Sequence, residues 1–194
     1  MEPASRQRIR IVMPTPLDQL REEHDLARRA LGVLKRVAEH VACGDPFPTT
    51  DTATLLRFFH EFVEGVHHAK EADHLFPALA LHSDDTVAEA VGLLFGEHDD
   101  TRGLLHSLMM FWEPVDDLVP AERDGFAQTA RTYAQRLDRH MEIEEQALFG
   151  PARHSIPADD RITLMERFEE LDRERRGARY WRPIVAELET RWSA

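Results

Sequence analysis

Residues 67–77, HHAKEADHLFP, share a pattern with residues 140–150, HMEIEEQALFG. Both stretches read His-x-x-x-Glu-x-x-x-Leu-Phe and then Pro or Gly, which predicts that a helix ends there. In an α-helix, residues four positions apart lie one turn apart on the same face. We therefore expect His67 beside Glu71 and His140 beside Glu144. An imidazole nitrogen and a carboxylate held in this way form half of a metal site.

Each stretch also follows a lone histidine that lies within a Glu-His-Asp triplet. The histidine of residues 23–25 precedes His67 by 43 residues, and the histidine of residues 97–99 precedes His140 by 42. This indicates an internal duplication. The unit is a helix with one histidine, a loop, and a helix with His-x-x-x-Glu. Two units predict four helices and six ligands that point inward.

Apolar seams at helical spacing support four helices and a C-terminal extension. The first begins at Thr15-Pro16 and ends near Gly44, and the second runs from about Thr52 to Pro77 or slightly beyond. The third is capped by Ser83-Asp84-Asp85 and stops at Pro114, and the fourth starts at Pro120. A fifth helical stretch is expected from about Ala158 to Arg176, continuing past Gly177 to about Trp192. The predicted fold class is all-α.

Composition excludes several classes of protein. The chain has 194 residues, 42% of them hydrophobic and 31% charged, which is typical of a soluble, helix-rich domain. No apolar run approaches the roughly 20 residues that span a bilayer, so we expect no membrane partner. The formal net charge of -12 argues against a nucleic-acid surface. Residues 1–14 are interpreted as an N-terminal leader without an export signal, and a cytoplasmic location is expected.

The histidines are better explained by a metal centre than by ordinary packing. One histidine in a seam is usually a hydrogen-bonded core residue, and one His-x-x-x-Glu pair is commonly a surface ion pair. Here four helices each place a histidine in an apolar seam, and two add a carboxylate. Without strong partners, each buried polar group would cost roughly 1–3 kcal/mol. The lone Cys43 is read as structural, so thiolate sites are excluded. Six nitrogen and oxygen ligands suit two octahedral ions, whereas one zinc would leave some of them unused.

At this point the chain resembles the hemerythrin-like family, the HHE cation-binding domains, over roughly residues 15–152. The matching residues are His24, His67-His68-x-x-Glu71, Glu97-His98 and His140-x-x-x-Glu144, and both His-x-x-x-Glu runs end in Leu-Phe. The resemblance implies an up-down four-helix bundle over residues 15–155, followed by a C-terminal helical extension over residues 156–194. It also implies a centre of two iron ions with an oxo or hydroxo bridge. The implied ligands are His24, His67, Glu71, His98, His140 and Glu144, with the two glutamates bridging.

Two departures from the oxygen-carrying hemerythrins bear on activity. Their fifth histidine, four residues after the one on the third helix, is replaced by Arg102, and their last aspartate is replaced by Glu145. Fewer protein ligands leave more open positions on the metal. This favours reactivity with small oxidants over reversible oxygen carriage.

Five further side chains are candidates for contacts around the ligands. Tyr133 and His60 lie seven residues before a ligand histidine and His74 lies seven after one, about two turns away. Tyr133 could hydrogen-bond a ligand or simply pack in the core. His68 points about 100° away from His67 and is a weaker candidate for an extra ligand. Arg102 is expected to pair with an acid on a neighbouring helix.

The leading hypothesis is a di-iron protein that binds or reacts with O2, peroxide or nitric oxide as a carrier, sensor or stress-response protein. One alternative is an enzyme that turns over peroxide or nitric oxide, and another is a metal-stabilised structural or interaction bundle. Trp181 and Trp192 make a homodimer through the C-terminal helix a further expectation. The sequence leaves open which small molecule matters, and whether manganese or zinc replaces iron.

Overall fold

The computed structural model describes residues 15–112 and 117–193, and these form six helices and no strand. We label as α2 and α4 two continuous helices that contain π-helical segments. The six are α1 (Pro16–Ala42), α2 (Thr49–Phe58, Phe59–His67, His68–Lys70, Glu71–Leu75 and Phe76–His82), α3 (Asp85–Met109), α4 (Pro120–Ile143, Glu144–Leu148 and Phe149–Ser155), α5 (Ala158–Glu174) and α6 (Ala178–Arg191). The predicted all-α class is confirmed. The leader and Pro114 lie outside the described residues.

The start and end of α1 follow from local chemistry. The Thr15 hydroxyl accepts a hydrogen bond from the Asp18 amide at 3.2 Å, and the Asp18 carboxylate accepts one from the Thr15 amide at 3.0 Å. The Thr15 hydroxyl also donates to that carboxylate at 2.7 Å, and the two hydrogen bonds that it accepts from Thr15 hold the pKa of Asp18 below its usual value. Together they form a capping box, with Pro16 at the first helical position. Gly44 follows the helix at φ +88, a conformation that glycine adopts without strain.

The π-helical segments of α2 and α4 begin or end at ligand candidates. They are Phe59–His67, Glu71–Leu75 and Glu144–Leu148. In a π segment each N–H bonds to the carbonyl five residues earlier, so the turn is wider and the faces of the helix shift. Such segments are frequent at functional sites.

Two helices continue past the Pro or Gly at which the sequence predicted an end. Pro77 does not end α2, which continues to His82, and Gly150 does not end α4, which continues to Ser155. Pro77 lies in the first turn after a π segment. The regular backbone hydrogen bonds of the α-helix are already interrupted there. The missing N–H of proline therefore costs the helix little additional stability.

Ion pairs show how neighbouring helices run. Between α1 and α4 they join Asp18 to Arg153, His24 to Glu145 and Arg28 to Asp138. Rising residue numbers on α1 thus meet falling numbers on α4, which is the pattern of antiparallel neighbours. The pairs of Glu64 with Arg102 and of Glu71 with His98 show the same for α2 and α3. The complete up-down order of four helices stays a prediction.

The core consists of two apolar clusters with a polar layer between them. The larger cluster includes Leu34, Phe62, Leu105 and Leu137, and the smaller one includes Leu20, Leu75, Leu94 and Leu148. On each of the first four helices, the candidate ligands lie between residues of one cluster and residues of the other. The metal candidates therefore occupy a layer across the bundle.

The C-terminal extension is two helices, not the single stretch that we predicted. The chain turns at residues 175–177, where Gly177 caps α6. A Cβ at Gly177 would collide with the Asp172 carboxylate, so glycine permits this close turn. Trp181 of α6 is 1% exposed and its ring lies 5.6 Å from that of Phe58 on α2. The extension is thus part of the bundle core, and a homodimer through α6 stays a prediction.

Among residues 15–112 and 117–193, no helix is both long enough and apolar enough to cross a membrane.

Candidate metal centre

The six predicted ligands converge in the polar layer, and each is at most 3% exposed. Together with His68 they form two groups whose ligand atoms lie within 4.8 Å of one another. The first metal position is the group His24, His67, Glu71 and Glu144. The second metal position is the group His68, Glu71, His98 and His140.

Glu71 of α2 belongs to both positions through different oxygens. Its Oε1 lies 3.4 Å from His67 Nε2, and its Oε2 lies 3.5 Å from His98 Nε2. Two atoms that each bind one ion at about 2.1 Å and at a right angle are about 3.0 Å apart. The observed distances are close to this spacing, so Glu71 could bridge two ions.

Glu144 of α4 repeats the arrangement on the opposite side. Its Oε2 lies 3.3 Å from His24 Nε2, and its Oε1 lies 3.2 Å from His140 Nε2. The Nε2 atoms of His98 and His140 are themselves 3.0 Å apart. Two nitrogen lone pairs do not face one another at this distance unless a proton or a cation lies between them. A metal ion bound between them would satisfy both nitrogens.

Carboxylates hold the outer nitrogens of three ligand histidines. The Nδ1–H groups donate from His67 to Glu23 at 3.0 Å, from His24 to Glu145 at 2.8 Å, and from His140 to Glu97 at 2.9 Å. Such bonds fix the tautomer and the ring orientation, leaving Nε2 as the metal donor. All three Nε2 atoms face the interior of the layer.

Sequence reasoning missed these three carboxylates, although a signal for two of them was present. Glu23 and Glu97 are the first residues of the duplicated Glu-His-Asp triplets. Each binds not its neighbouring histidine but the later histidine of the same repeat. The two repeats are therefore alike in the groups that support their ligands as well as in the ligands themselves.

The buried polar atoms fit a cation centre. Within the described part of the chain, both oxygens of Glu71 and of Glu144 lack a hydrogen-bond partner, as do Nε2 of His24 and Nε2 of His67. An ionised carboxylate buried without compensation is very costly. Two of them can coexist here only if positive charge, as protons or metal ions, lies between them. The donors present therefore fit two bound cations.

The electrostatics of the layer point in the same direction. Burial opposes a charge on His140, but the nearby Glu144 carboxylate outweighs it and raises the pKa of His140 to about 9. The pKa of His24 is raised well above its usual value for the same reason, through Glu144, Glu145 and Glu71. Burial would raise the pKa of Glu144, yet His140 and His24 hold it well below the usual range. The carboxylates thus stay ionised and attract cations.

His68, a weaker candidate from the sequence, lies within the second group of possible metal ligands. Its ring is 2% exposed and stacks on that of His98 with centroids 3.9 Å apart. Burial, and then the neighbouring histidines, hold its pKa well below the ordinary value, so the ring is neutral and able to bind metal. Its Nδ1 lies 3.2 Å from Glu64, which in turn accepts a hydrogen bond from Arg102 at 3.0 Å. Arg102 thus pairs with an acid on a neighbouring helix, as expected.

The remaining candidates differ in their distance from the ligands. Tyr133 is fully buried against Phe59, with ring centroids 5.1 Å apart, and its hydroxyl has no partner among the described residues. His60 is exposed, because it lies within the π segment Phe59–His67, where the shifted faces turn it away from the core. His74 lies near Phe168 of α5, away from the ligands, with ring centroids 6.4 Å apart. Only Tyr133 keeps the core position that its spacing predicted.

The donor set limits the metal. Cys43 is exposed at the end of α1 and does not contribute a thiolate. Nitrogen and carboxylate donors suit iron, manganese and zinc, and paired sites of this kind occur for iron and manganese in helical bundles.

Comparison with known proteins agrees with this geometry. Uncharacterized proteins from Mycobacterium bovis and from two strains of Mycobacterium tuberculosis are 20% identical to this chain over 171 residues. The similarity covers 88% of this chain and 66% of each relative, so a third of each relative lies outside it. No solved structure matches the chain. The family model for the hemerythrin HHE cation-binding domain matches residues 15–152, and the chain therefore belongs to that family.

Proposed function

We propose that this chain is a non-haem di-iron protein that binds or reacts with O2, peroxide or nitric oxide. The main support is that Glu71 and Glu144 each turn one oxygen to the first metal position and the other to the second. Two ferrous ions held in this way would supply two electrons, one from each ion, to a small bound oxidant and become ferric.

The number of protein donors leaves room for such a molecule. The first position has two histidines and the two shared carboxylates. The second has His68, His98, His140 and Glu71, and the Oε1 of Glu144, 3.2 Å from His140, adds a fifth donor. An octahedral ion takes six ligands. Neither position is therefore closed by protein alone, and the first has more open places.

Neighbouring residues cover two of the histidine rings and fix the orientation of His24. Phe149 stacks on His24 with ring centroids 5.5 Å apart, and Phe76 stacks on His98 at 5.7 Å. Arg28 donates to Glu145 at 2.9 Å, which keeps that carboxylate ionised beside the Nδ1 of His24. Hydrogen bonds from His24 and Arg28 hold the pKa of Glu145 at about 2 although burial opposes this. His24 thus retains a fixed orientation with its Nε2 inward.

The test is metal content and colour. The protein is loaded anaerobically with ferrous iron, passed through a desalting column, and analysed for iron and for near-ultraviolet and visible absorption before and after exposure to air. We expect two iron ions per chain and an oxo-bridge band that forms in air. His67→Ala should lose iron and the band, while His106→Ala, which changes an exposed histidine on α3, should not. One zinc ion and no colour in air would contradict the proposal.

The oxidant is identified by mixing the reduced protein separately with O2, peroxide and nitric oxide. Recovery of the reduced spectrum when oxygen is removed supports carriage or sensing. Sustained consumption of peroxide or nitric oxide supports an enzyme. No spectral response to any of the three would leave only a structural role for the metal.

A further inference from the structure

Lys70 is a fully buried lysine next to the metal ligands. Its ammonium lies 2.5 Å from the Oε1 of Glu23 and 2.8 Å from the Oδ1 of Asp172, and it sits 5.6 Å from the ring of Phe168. A buried ammonium is costly unless it is paired and hydrogen-bonded. The two carboxylates supply that pairing from different parts of the chain, since Glu23 belongs to α1 and Asp172 to α5.

The contacts continue from Lys70 to a ligand. The second oxygen of Glu23 accepts the Nδ1–H of His67 at 3.0 Å. Gln19 donates to Asp172 at 2.7 Å and to Glu23 at 3.2 Å, so it braces both carboxylates. An uninterrupted series of charged hydrogen bonds thus leads from α5, through Lys70 and Glu23, to His67 of the first metal position.

The second repeat lacks this arrangement. Glu97 supports His140 as Glu23 supports His67, but its side chain is 38% exposed, whereas that of Glu23 is fully buried. The residue three places after His140 is Ile143, where the first repeat has Lys70. Glu97 borders a surface cavity of about 230 Å³ that Arg136 and Arg139 also line. The support of the second metal position is therefore open to solvent.

We infer that Asp172 is a positioning residue for the first metal position, so that the C-terminal extension makes the two positions unequal. Asp172 holds Lys70, Lys70 holds Glu23, and Glu23 fixes the ring of His67. The ion in the first position is retained by this support, in which Lys70 and Glu23 are fully buried, and the ion in the second position exchanges through the more exposed Glu97 side. This inference rests on the proposed two-metal centre.

The test is the rate at which each ion leaves. The full chain is loaded with zinc, mixed with excess chelator, and the release is followed with a chromogenic zinc indicator. Wild-type protein should release two ions in two phases. Asp172→Asn should accelerate only the slower phase, by about tenfold, because it loosens Glu23, and loss of a group bonded to a ligand histidine costs about 10- to 100-fold in metal affinity. Glu97→Gln should accelerate only the faster phase, and the double variant should accelerate both.

A matched control separates positioning from general loosening of the extension. Glu189 of α6 forms a two-pronged pair with Arg29 of α1 and does not touch the Lys70 series. Glu189→Gln should therefore leave both phases unchanged. If the wild-type chain binds two ions and Asp172→Asn leaves the slow phase unchanged, or accelerates both phases equally, the inference is overturned. If the wild-type chain does not bind two ions, the proposed function itself fails.

Discussion

Metal binding to this centre should expel protons, because protons take the place of metal in the free protein. The pKa of His140 is raised to about 9 and that of His24 is raised well above its usual value. Both imidazoles are therefore protonated at pH 7, while the Glu144 carboxylate stays ionised. His24 belongs to the first position and His140 to the second. We expect one proton to leave for each ion bound.

The number of protons released sets how strongly metal affinity depends on pH. When one proton leaves per ion, the affinity of each position rises tenfold per pH unit, or about 1.4 kcal/mol. Between pH 7 and pH 8 the product of the two binding constants should rise about 100-fold, or about 2.7 kcal/mol for the pair. Above pH 9 the second position should lose this dependence, since His140 is then already neutral.

The assay is titration calorimetry with zinc at pH 7 in several buffers that differ in ionisation enthalpy. The slope of the observed heat against that enthalpy gives the number of protons released. A competition titration with a chelator of known affinity at pH 7 and pH 8 checks the affinity change independently. A slope near zero, or equal affinity at the two pH values, would refute the reasoning that carboxylates hold protons in the metal positions.

Three other perturbations have defined outcomes. Glu71→Ala should abolish binding of both ions, because its oxygens face both positions, whereas His98→Ala should affect the second position alone; metal analysis per chain distinguishes the two results. Trp181→Ala should reduce the free energy of unfolding by about 3–5 kcal/mol in urea titrations, and the exposed Tyr180→Ala by less than about 0.5 kcal/mol; similar losses for both would show that α6 is not part of the core. The metal-free protein should lose stability as the pH rises from about 6.5 through about 9. The pKa of His140 is raised in the folded state, so protonation of His140 stabilises the fold. An unchanged melting temperature between pH 6 and pH 9.5 would contradict this.

The helices and the six candidate ligands could be predicted from the sequence because both signals are local. A histidine and a glutamate four residues apart lie on one helix face whatever the rest of the chain does. The repetition of His67-x-x-x-Glu71 at His140-x-x-x-Glu144 made an accidental match improbable. Burial of these residues in apolar seams then required a partner for their polar atoms.

The parts that sequence reasoning missed depend on contacts between helices or on departures from the regular α-helix. The π segments change which residues share a helix face. The regular α-helical spacing therefore placed His60 toward the core, where it does not lie, and gave His68 too little weight as a metal ligand. Lys70 becomes a functional candidate only when α1, α2 and α5 are packed together, because its partners are Glu23 of α1 and Asp172 of α5. No fixed spacing along the chain encodes such a meeting of three helices.

The polar layer between the two apolar clusters also affects the cooperativity of unfolding. With ions present, residues from four helices bind the same two ions. The halves of the bundle that contain the two apolar clusters should then unfold together. Without ions, the polar layer holds the two apolar clusters together only weakly. Charged groups stand there in place of the dispersion contacts that a continuous apolar core would provide. Demetallation should therefore divide one cooperative unit into two, and amide hydrogen exchange in the half around Leu94 and Leu148 should become independent of exchange in the half around Leu34 and Leu137.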